Sequence, residues 1–241
     1  MSNLCKLWLG AYDRSSIFIA MNSKTAILLF AQTASEDCKK KYFHNGRELF
    51  SALNLQAHKR VKSSQLPYFI FTEKEQTGNT FGERFTNAIE QVFLKGFDNV
   101  ITIGNDSPQL KTQQLLEAAN NCLKEKTTLG PTLDGGFYLL GIQKKHFEKK
   151  AFLNLPWQKQ SLRKELLKYL MTKNTDIVHF CYYNDLDNLN NSAYYLSNKD
   201  TIPEEIYSLL QINVPAIAVF PLLNSIKNIL NPTPFNKGSP C

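Results

Sequence analysis

The sequence predicts an α/β chain built as three layers, a mainly parallel sheet with helices on both faces. Two observations predict it. Short apolar runs of four to seven residues alternate with longer amphipathic segments along most of the 241 residues. The runs are also almost continuously apolar, as strands covered on both faces must be. With 43% hydrophobic and 20% charged residues the composition is that of a globular protein, which excludes global disorder.

Taken in order, residues 25–31 are a strand, 46–62 a helix and 68–72 a second strand. Residues 81–95 form the clearest helix, because Phe81, Phe85, Ala88, Ile89, Val92 and Phe93 fall on one stripe. Residues 99–103 are the third strand, and 112–124 a helix for which Thr112 is the cap. Strands at 127–129 and 137–140 follow, then helices around 144–152 and 161–171, and a strand at 177–182. Residues 189–197 and 203–210 read as helices.

Two strands stop at acidic turns. Asp106 falls just past the end of strand 99–103, and Pro108 keeps it out of the next helix. In open α/β sheets ligands sit outside the carboxyl ends of the strands, where a carboxylate can hold a hard divalent cation. By itself Asp-Ser-Pro is more simply read as an ordinary turn aspartate bonding to backbone nitrogens. Asp134-Gly135-Gly136 is a hairpin signal, but the two glycines also allow a ligand close to the backbone. Asp185 and Asp187 follow the last strand; a helix-capping turn is the plainer reading of Asp185, while Asp187 suits a cap and a ligand-binding role equally. Arg84, in the first turn of its helix, suits either a surface ion pair or a diphosphate clamp. Trp157 suits either a core plug or the wall of an acceptor pocket.

In combination these segments resemble the uncharacterised bacterial family DUF2064. The resemblance rests on Ile-Gly-Asn-Asp-Ser-Pro at 103–108 and Leu-Gly-Pro-Thr-Leu-Asp-Gly-Gly-Phe-Tyr-Leu-Leu-Gly at 129–141. Gln76-Thr77-Gly78 with Phe81-Gly82-Glu83-Arg84, Leu155-Pro156-Trp157 and Asp185-Leu186-Asp187 follow in the family's order, over about residues 25–190. The family is described as glycosyltransferase-A-like, within the nucleotide-diphospho-sugar transferases, and is distantly similar to the phospholactate and molybdenum cofactor guanylyltransferases.

The resemblance implies a glycosyltransferase-A-like sandwich and a metal-dependent transferase that uses a nucleotide-activated donor, a nucleotide sugar above all, and a small-molecule acceptor. It implies Mg or Mn on Asp106 and Asp187, with Asp134 as the catalytic carboxylate and Gly135, Gly136 and Trp157 around the substrate. Phosphate would fall to Arg84 and to Lys39, Lys40 and Lys41. The family's Pro-Gly-Arg-x-Lys-Thr-Arg loop is absent after the first strand, where only that lysine cluster stands. Two alternatives stay open: a nucleotidyltransferase that releases pyrophosphate, and a non-catalytic binding protein with a degraded phosphate loop.

The net charge of +7 suits anionic ligands, but the basic runs are scattered and no nucleic-acid-binding motif accompanies them. Five cysteines without a C-x-x-C pair point to a reducing compartment, the cytoplasm. Residues 212–230 are interrupted by Pro215, Pro221 and Lys227, so they read as a helix packed on the domain or on a second subunit of a homodimer, with no membrane span. The organisation expected is a peripheral extension at 1–24, a nucleotide-binding domain at 25–200 and a helical appendage with a tail at 201–241. Nothing before Met21 continues the sheet pattern. A chain starting at Met21 is therefore expected to melt at the same temperature as the full sequence, checked by thermal denaturation. A fall of several degrees would make the extension part of the domain.

Overall fold

The computed structural model describes residues 24–187 and 189–213. The readings of 1–20 as peripheral, of 212–230 as a packed helix and of the tail therefore fall mostly or wholly outside the described residues. Among the described residues six strands form one sheet: β1 (Thr25–Phe30), β2 (Tyr68–Phe71), β3 (Asn99–Ile103), β4 (Thr127–Pro131), β5 (Phe137–Gln143) and β6 (Ile177–His179). Their order across the sheet is β2-β1-β3-β5-β4-β6. Strand β5 runs antiparallel to both its neighbours, and every other pairing is parallel. The mainly parallel sheet expected from the sequence is thus the one observed.

Period-2 alternation sorts the strand side chains into two cores. Ala26, Leu28 and Phe30 of β1 face one side, against α3 (Phe81–Leu94), α5 (Lys149–Leu153) and α6 (Leu162–Met171). Ile27 and Leu29 face the other, against α2 (Gly46–Ser63) and α4 (Thr112–Leu123). A third cluster joins Leu49, Phe50 and Leu53 of α2 to Leu186, to Tyr195 of α7 (Leu189–Ser197) and to Ile206 and Leu210 of α8 (Glu204–Asn213). A one-turn helix, α1 (Ala34–Asp37), follows β1.

Three local expectations are corrected. Thr112 is the first residue of α4 and not its cap; Lys111 precedes it, and Gln114 Oε1 accepts from the Lys111 N–H at 3.0 Å. The helix expected at 144–152 is split into a 3₁₀ turn (Lys144–His146) and α5, because Phe147 and Glu148 between them are extended. The strand expected at 177–182 ends at His179. Its partner β4 has a bulge between Gly130 and Pro131, and Pro131 has no N–H to extend the ladder.

Helix α3 opens with a capping box: Glu83 N–H donates to Thr80 Oγ1 at 3.2 Å, and Glu83 Oε2 accepts from the Thr80 N–H at 3.3 Å. Gly82 lies beneath Trp157, where an added Cβ would stand 2.2 Å from the ring's Cδ1. The Gly-Glu-Arg and Pro-Trp segments are thus one packing unit. Gly82→Ala is expected to cost about 1–3 kcal/mol by overpacking, measured by denaturant unfolding. Adding Trp157→Phe should recover part of that loss; strictly additive losses would show that the ring does not set the identity of Gly82.

Candidate functional site

The carboxyl ends of β1, β3, β4 and β6 and the amino end of the reversed strand β5 share one edge of the sheet. A cavity of 530 Å³ opens there, with Asp37, Asp106, Asp134, Asp185 and Asp187 in its wall. The chain brings these groups together by a few specific contacts. Arg60, buried on α2, donates from Nη2 to the Pro108 carbonyl at 2.6 Å and so pins the turn that carries Asp106. Burial depresses the Arg60 guanidinium to about 10, with the nearby Tyr183 and Tyr195 opposing that fall.

Beyond β6 the chain stays beside the end of β4, through a bridge between Thr132 and Tyr183 and a Leu133 N–H bond to the Tyr183 carbonyl at 3.1 Å. It then crosses to β3, where the Leu186 N–H donates to the Asp106 carbonyl at 2.9 Å. Leu186 is fully buried in the third cluster. Its neighbours Asp185 and Asp187 both line the cavity, as side chains at i and i+2 of an extended segment do.

Asp106, Asp185 and Asp187 each offer a carboxylate oxygen, and the three oxygens lie within 4.8 Å of one another. Ser107 Oγ donates to Asp185 Oδ1 at 2.6 Å. Burial, and then the charge of Asp106, raise Asp185 well above the usual carboxylate range. Asp106 is raised too, by burial first, with Lys41 opposing and Asp187 reinforcing. Lys41 Nζ stands 2.5 Å from Asp187 Oδ1 and 3.6 Å from Asp106 Oδ2. Burial works against its charge, but Asp106 and Asp187 outweigh it, so the ammonium is held above its ordinary value. Asp37 is buried and raised by that burial, against the pull of Lys41. Asn105 Nδ2 bridges Asp37 Oδ2 at 3.1 Å to Asn54 Oδ1 at 2.8 Å.

Asp134 lies in the connection between β4 and β5. Its Oδ1 accepts from Thr132 Oγ1 at 2.5 Å and from the Gly136 N–H at 3.0 Å. Gly135 has φ of +96°, and a Cβ there would meet the Gln160 carbonyl at 2.1 Å. That turn therefore admits no other residue without moving the start of α6.

The structure thus brings Asp106, Asp134, Asp187, Lys40, Lys41, Arg84, Gly136 and Trp157 to one cleft. Lys39 and Gly135 are outside the lining: Lys39 is exposed and paired with Glu36 at 2.7 Å, and Gly135 is buried within its turn. Arg84 donates to the Asn79 carbonyl at 3.1 Å. Trp157 packs against Phe81, Phe85 and Phe137 and donates to the Phe152 carbonyl at 2.7 Å, so it closes a core while lining the cleft. Sequence reasoning ranked Asp185 as a turn residue and passed over Asp37, Asn105 and Ser107. The i and i+2 spacing around a buried leucine was the available sign for Asp185. The bonds that recruit Asp37 and Ser107 join residues 68 and 78 positions apart and leave no local trace.

Comparison with known proteins follows the same lines. The profile of the family described as "Uncharacterized protein conserved in bacteria (DUF2064)" matches residues 47–159, which establishes the resemblance read from the motifs. No curated protein matches the chain. Among solved structures, a protein of Desulfovibrio desulfuricans G20, provisionally named a nucleotide-diphospho-sugar transferase, is similar with a TM-score of 0.64 at 20% identity, over 84% of this chain and 98% of its own. Rv0371c of Mycobacterium tuberculosis H37Rv, in complex with manganese, is similar at a TM-score of 0.41 and 11% identity, over 72% of this chain and 98% of its own. A CMP:2-keto-3-deoxy-manno-octonic acid synthetase complexed with CTP gives 0.40 and 11%, over 74% and 97%. The chain thus shares the fold of the Desulfovibrio protein, an α/β sandwich with a mainly parallel sheet. Among the described residues no helix is long and apolar enough to cross a membrane.

The raised carboxyls carry a pH signature. Asp106 and Asp185 keep protons to higher pH in the fold than in the unfolded chain, whose carboxyls titrate near about 4. Above that pH the native state binds more protons than the unfolded one, so their contribution falls as pH rises through the folded values. With chelator present, Asp185→Asn should gain stability relative to the parent as pH rises above about 4, read from unfolding at each pH. A difference that is flat with pH would mean that the fold does not hold Asp185 above the ordinary range.

Proposed function

We propose that the cleft binds a nucleotide-activated donor, a nucleotide sugar in the first place, through a divalent cation and transfers the activated group to a small acceptor. The observation that carries this reading is the meeting of Asp106, Asp185 and Asp187 within 4.8 Å at the carboxyl edge of the sheet. The donor set fits the group. It is all oxygen and anionic, which suits Mg or Mn, and the cationic nitrogen of Lys41 already lies against two of its members. Asp106, Asp185 and Asp187 would hold the ion, which would supply neutralisation of charge on the leaving diphosphate.

The chain's own residues have distinct parts. Lys40 and Arg84, on the cavity wall, offer charge to phosphate oxygens; arginine gives a planar fork and lysine a point charge. Asp134 keeps Oδ1 bonded within its turn while the residue as a whole stays exposed to the cleft, which suits it to orient or deprotonate an acceptor hydroxyl. The aromatic wall of Phe81, Phe85, Phe137 and Trp157 offers rings for the apolar part of a ligand.

A thermal-shift panel of nucleotides and nucleotide sugars with manganese or magnesium tests the reading. A ligand at a hundred times its dissociation constant adds about 2.7 kcal/mol. Asp106→Ala is expected to abolish the metal-dependent part of that shift while the protein stays folded. Lys40→Gln should weaken binding about tenfold, the scale of one charge-assisted contact, and Lys39→Gln should not change it. A shift that survives Asp106→Ala would reduce Asp106 to a turn residue. Products then separate the chemistries: released nucleoside diphosphate marks group transfer from a nucleotide sugar, and pyrophosphate marks nucleotidyl transfer.

A further inference from the structure

Lys41 holds the position that a cation on the acidic cluster would claim. Its side chain is 18% exposed, and its nitrogen touches Asp187 and approaches Asp106. Its backbone is fixed, since the Lys41 N–H donates to the Asp37 carbonyl at 2.8 Å. The four-carbon stem beyond that anchor has several staggered rotamers, and in this one its nitrogen also lies 5.9 Å from the centre of the Phe50 ring. The adjacent lysines have another partner: Lys39 and Lys40 stand 2.7 and 3.8 Å from the Glu36 carboxylate. Arg84 is engaged with the Asn79 carbonyl.

We propose that Lys41 is an exchangeable internal counter-ion: it holds Asp106 and Asp187 together in the cation-free protein, yields when a divalent cation binds, and is then free to meet the anionic ligand. The proposal rests on the cation reading above. It follows from like-charge repulsion. An ammonium 2.5 Å from Asp187 Oδ1 and a doubly charged ion on the same carboxylate compete for its charge and repel one another in a half-buried cleft. Lysine suits the exchange better than arginine, because it bonds as a compact point charge and leaves without breaking a bidentate fork. The proposal makes Lys41 a positioning residue for two acidic side chains, and it sets a competition that the cation must win.

Binding of Mn²⁺ alone, followed by the resonance of the free ion, tests this on the full chain. Lys41→Gln should bind Mn²⁺ about tenfold more tightly than the parent and melt at a lower temperature without metal. Lys41→Arg should bind Mn²⁺ no more tightly than the parent. Unchanged or weaker Mn²⁺ binding by Lys41→Gln would overturn the proposal. Acylation of Lys41 in the parent, quantified by mass spectrometry, decides the matter should that variant not fold: it should rise several-fold at saturating Mn²⁺, and a constant rate would sink the exchange. A parent that never binds Mn²⁺ beside a Lys41→Gln variant that does would make Lys41 a permanent occupant and overturn the exchange. If neither binds Mn²⁺, the cation reading falls and the proposal falls with it.

Discussion

Asp37, Asp106, Asp185 and Asp187 are crowded at one edge of the sheet, and the surrounding structure works to keep them there. Carboxylates this close repel, and burial adds a penalty to each charge. Three of the four are accordingly raised, Asp185 most clearly. Proton uptake, the Lys41 ammonium and hydrogen bonds from Ser107 and Asn105 each relieve part of that repulsion. None of these groups lies in the apolar cores. The repulsion must therefore be balanced by packing elsewhere.

That packing can be traced to a few residues. Leu186 buries itself against α2 and α8 and carries Asp185 and Asp187 with it, so the third cluster anchors the site although it lies outside the two sheet cores. Arg60 fixes the other side, where its bond to the Pro108 carbonyl holds the turn around Asp106. The reversed strand β5 completes the edge. A strand parallel to its neighbours would have needed a crossover, whereas the antiparallel pair β4 and β5 returns through Thr132–Gly136 and leaves Asp134 at the same edge as Asp106.

The legible part of this in the sequence was whatever repeats with a short period. Strand β3 and the apolar stripe of α3 declared themselves, and Asp106 could be placed because it follows β3 within three residues. Boundaries set by a single partner were not legible. Pro131 ended β6 early through a contact across the sheet, and the capping of α4 shifted by one residue because Gln114 reaches back to Lys111. The lysine cluster was legible as a cluster, but its phase was not. Which of Lys39, Lys40 and Lys41 faces the acids depends on the single turn of α1, too short to show any periodicity. Asp185 looked like a turn residue because the burial of Leu186 beside it is decided by α2 and by helices that come later in the chain.

The cleft has two walls of opposite chemistry, and their connection is mechanical. The acidic wall depends on loops that follow β3 and β6, whereas the aromatic wall depends on α3 and the segment ahead of α6. The two meet at Gly82, because only a residue without a side chain lets Trp157 sit over the first turn of α3. The same turn presents Arg84 to the cavity. Any shift of Trp157 would therefore move α3's amino end and carry the arginine with it, while Asp106 and Asp187 stayed in place. A ligand that spans both walls must match the distance between them, so the indole against Gly82 fixes the separation of the cationic arm from the acidic cluster. For the ligand proposed above, the Pro-Trp segment would then act through geometry even where the ring makes no contact with it.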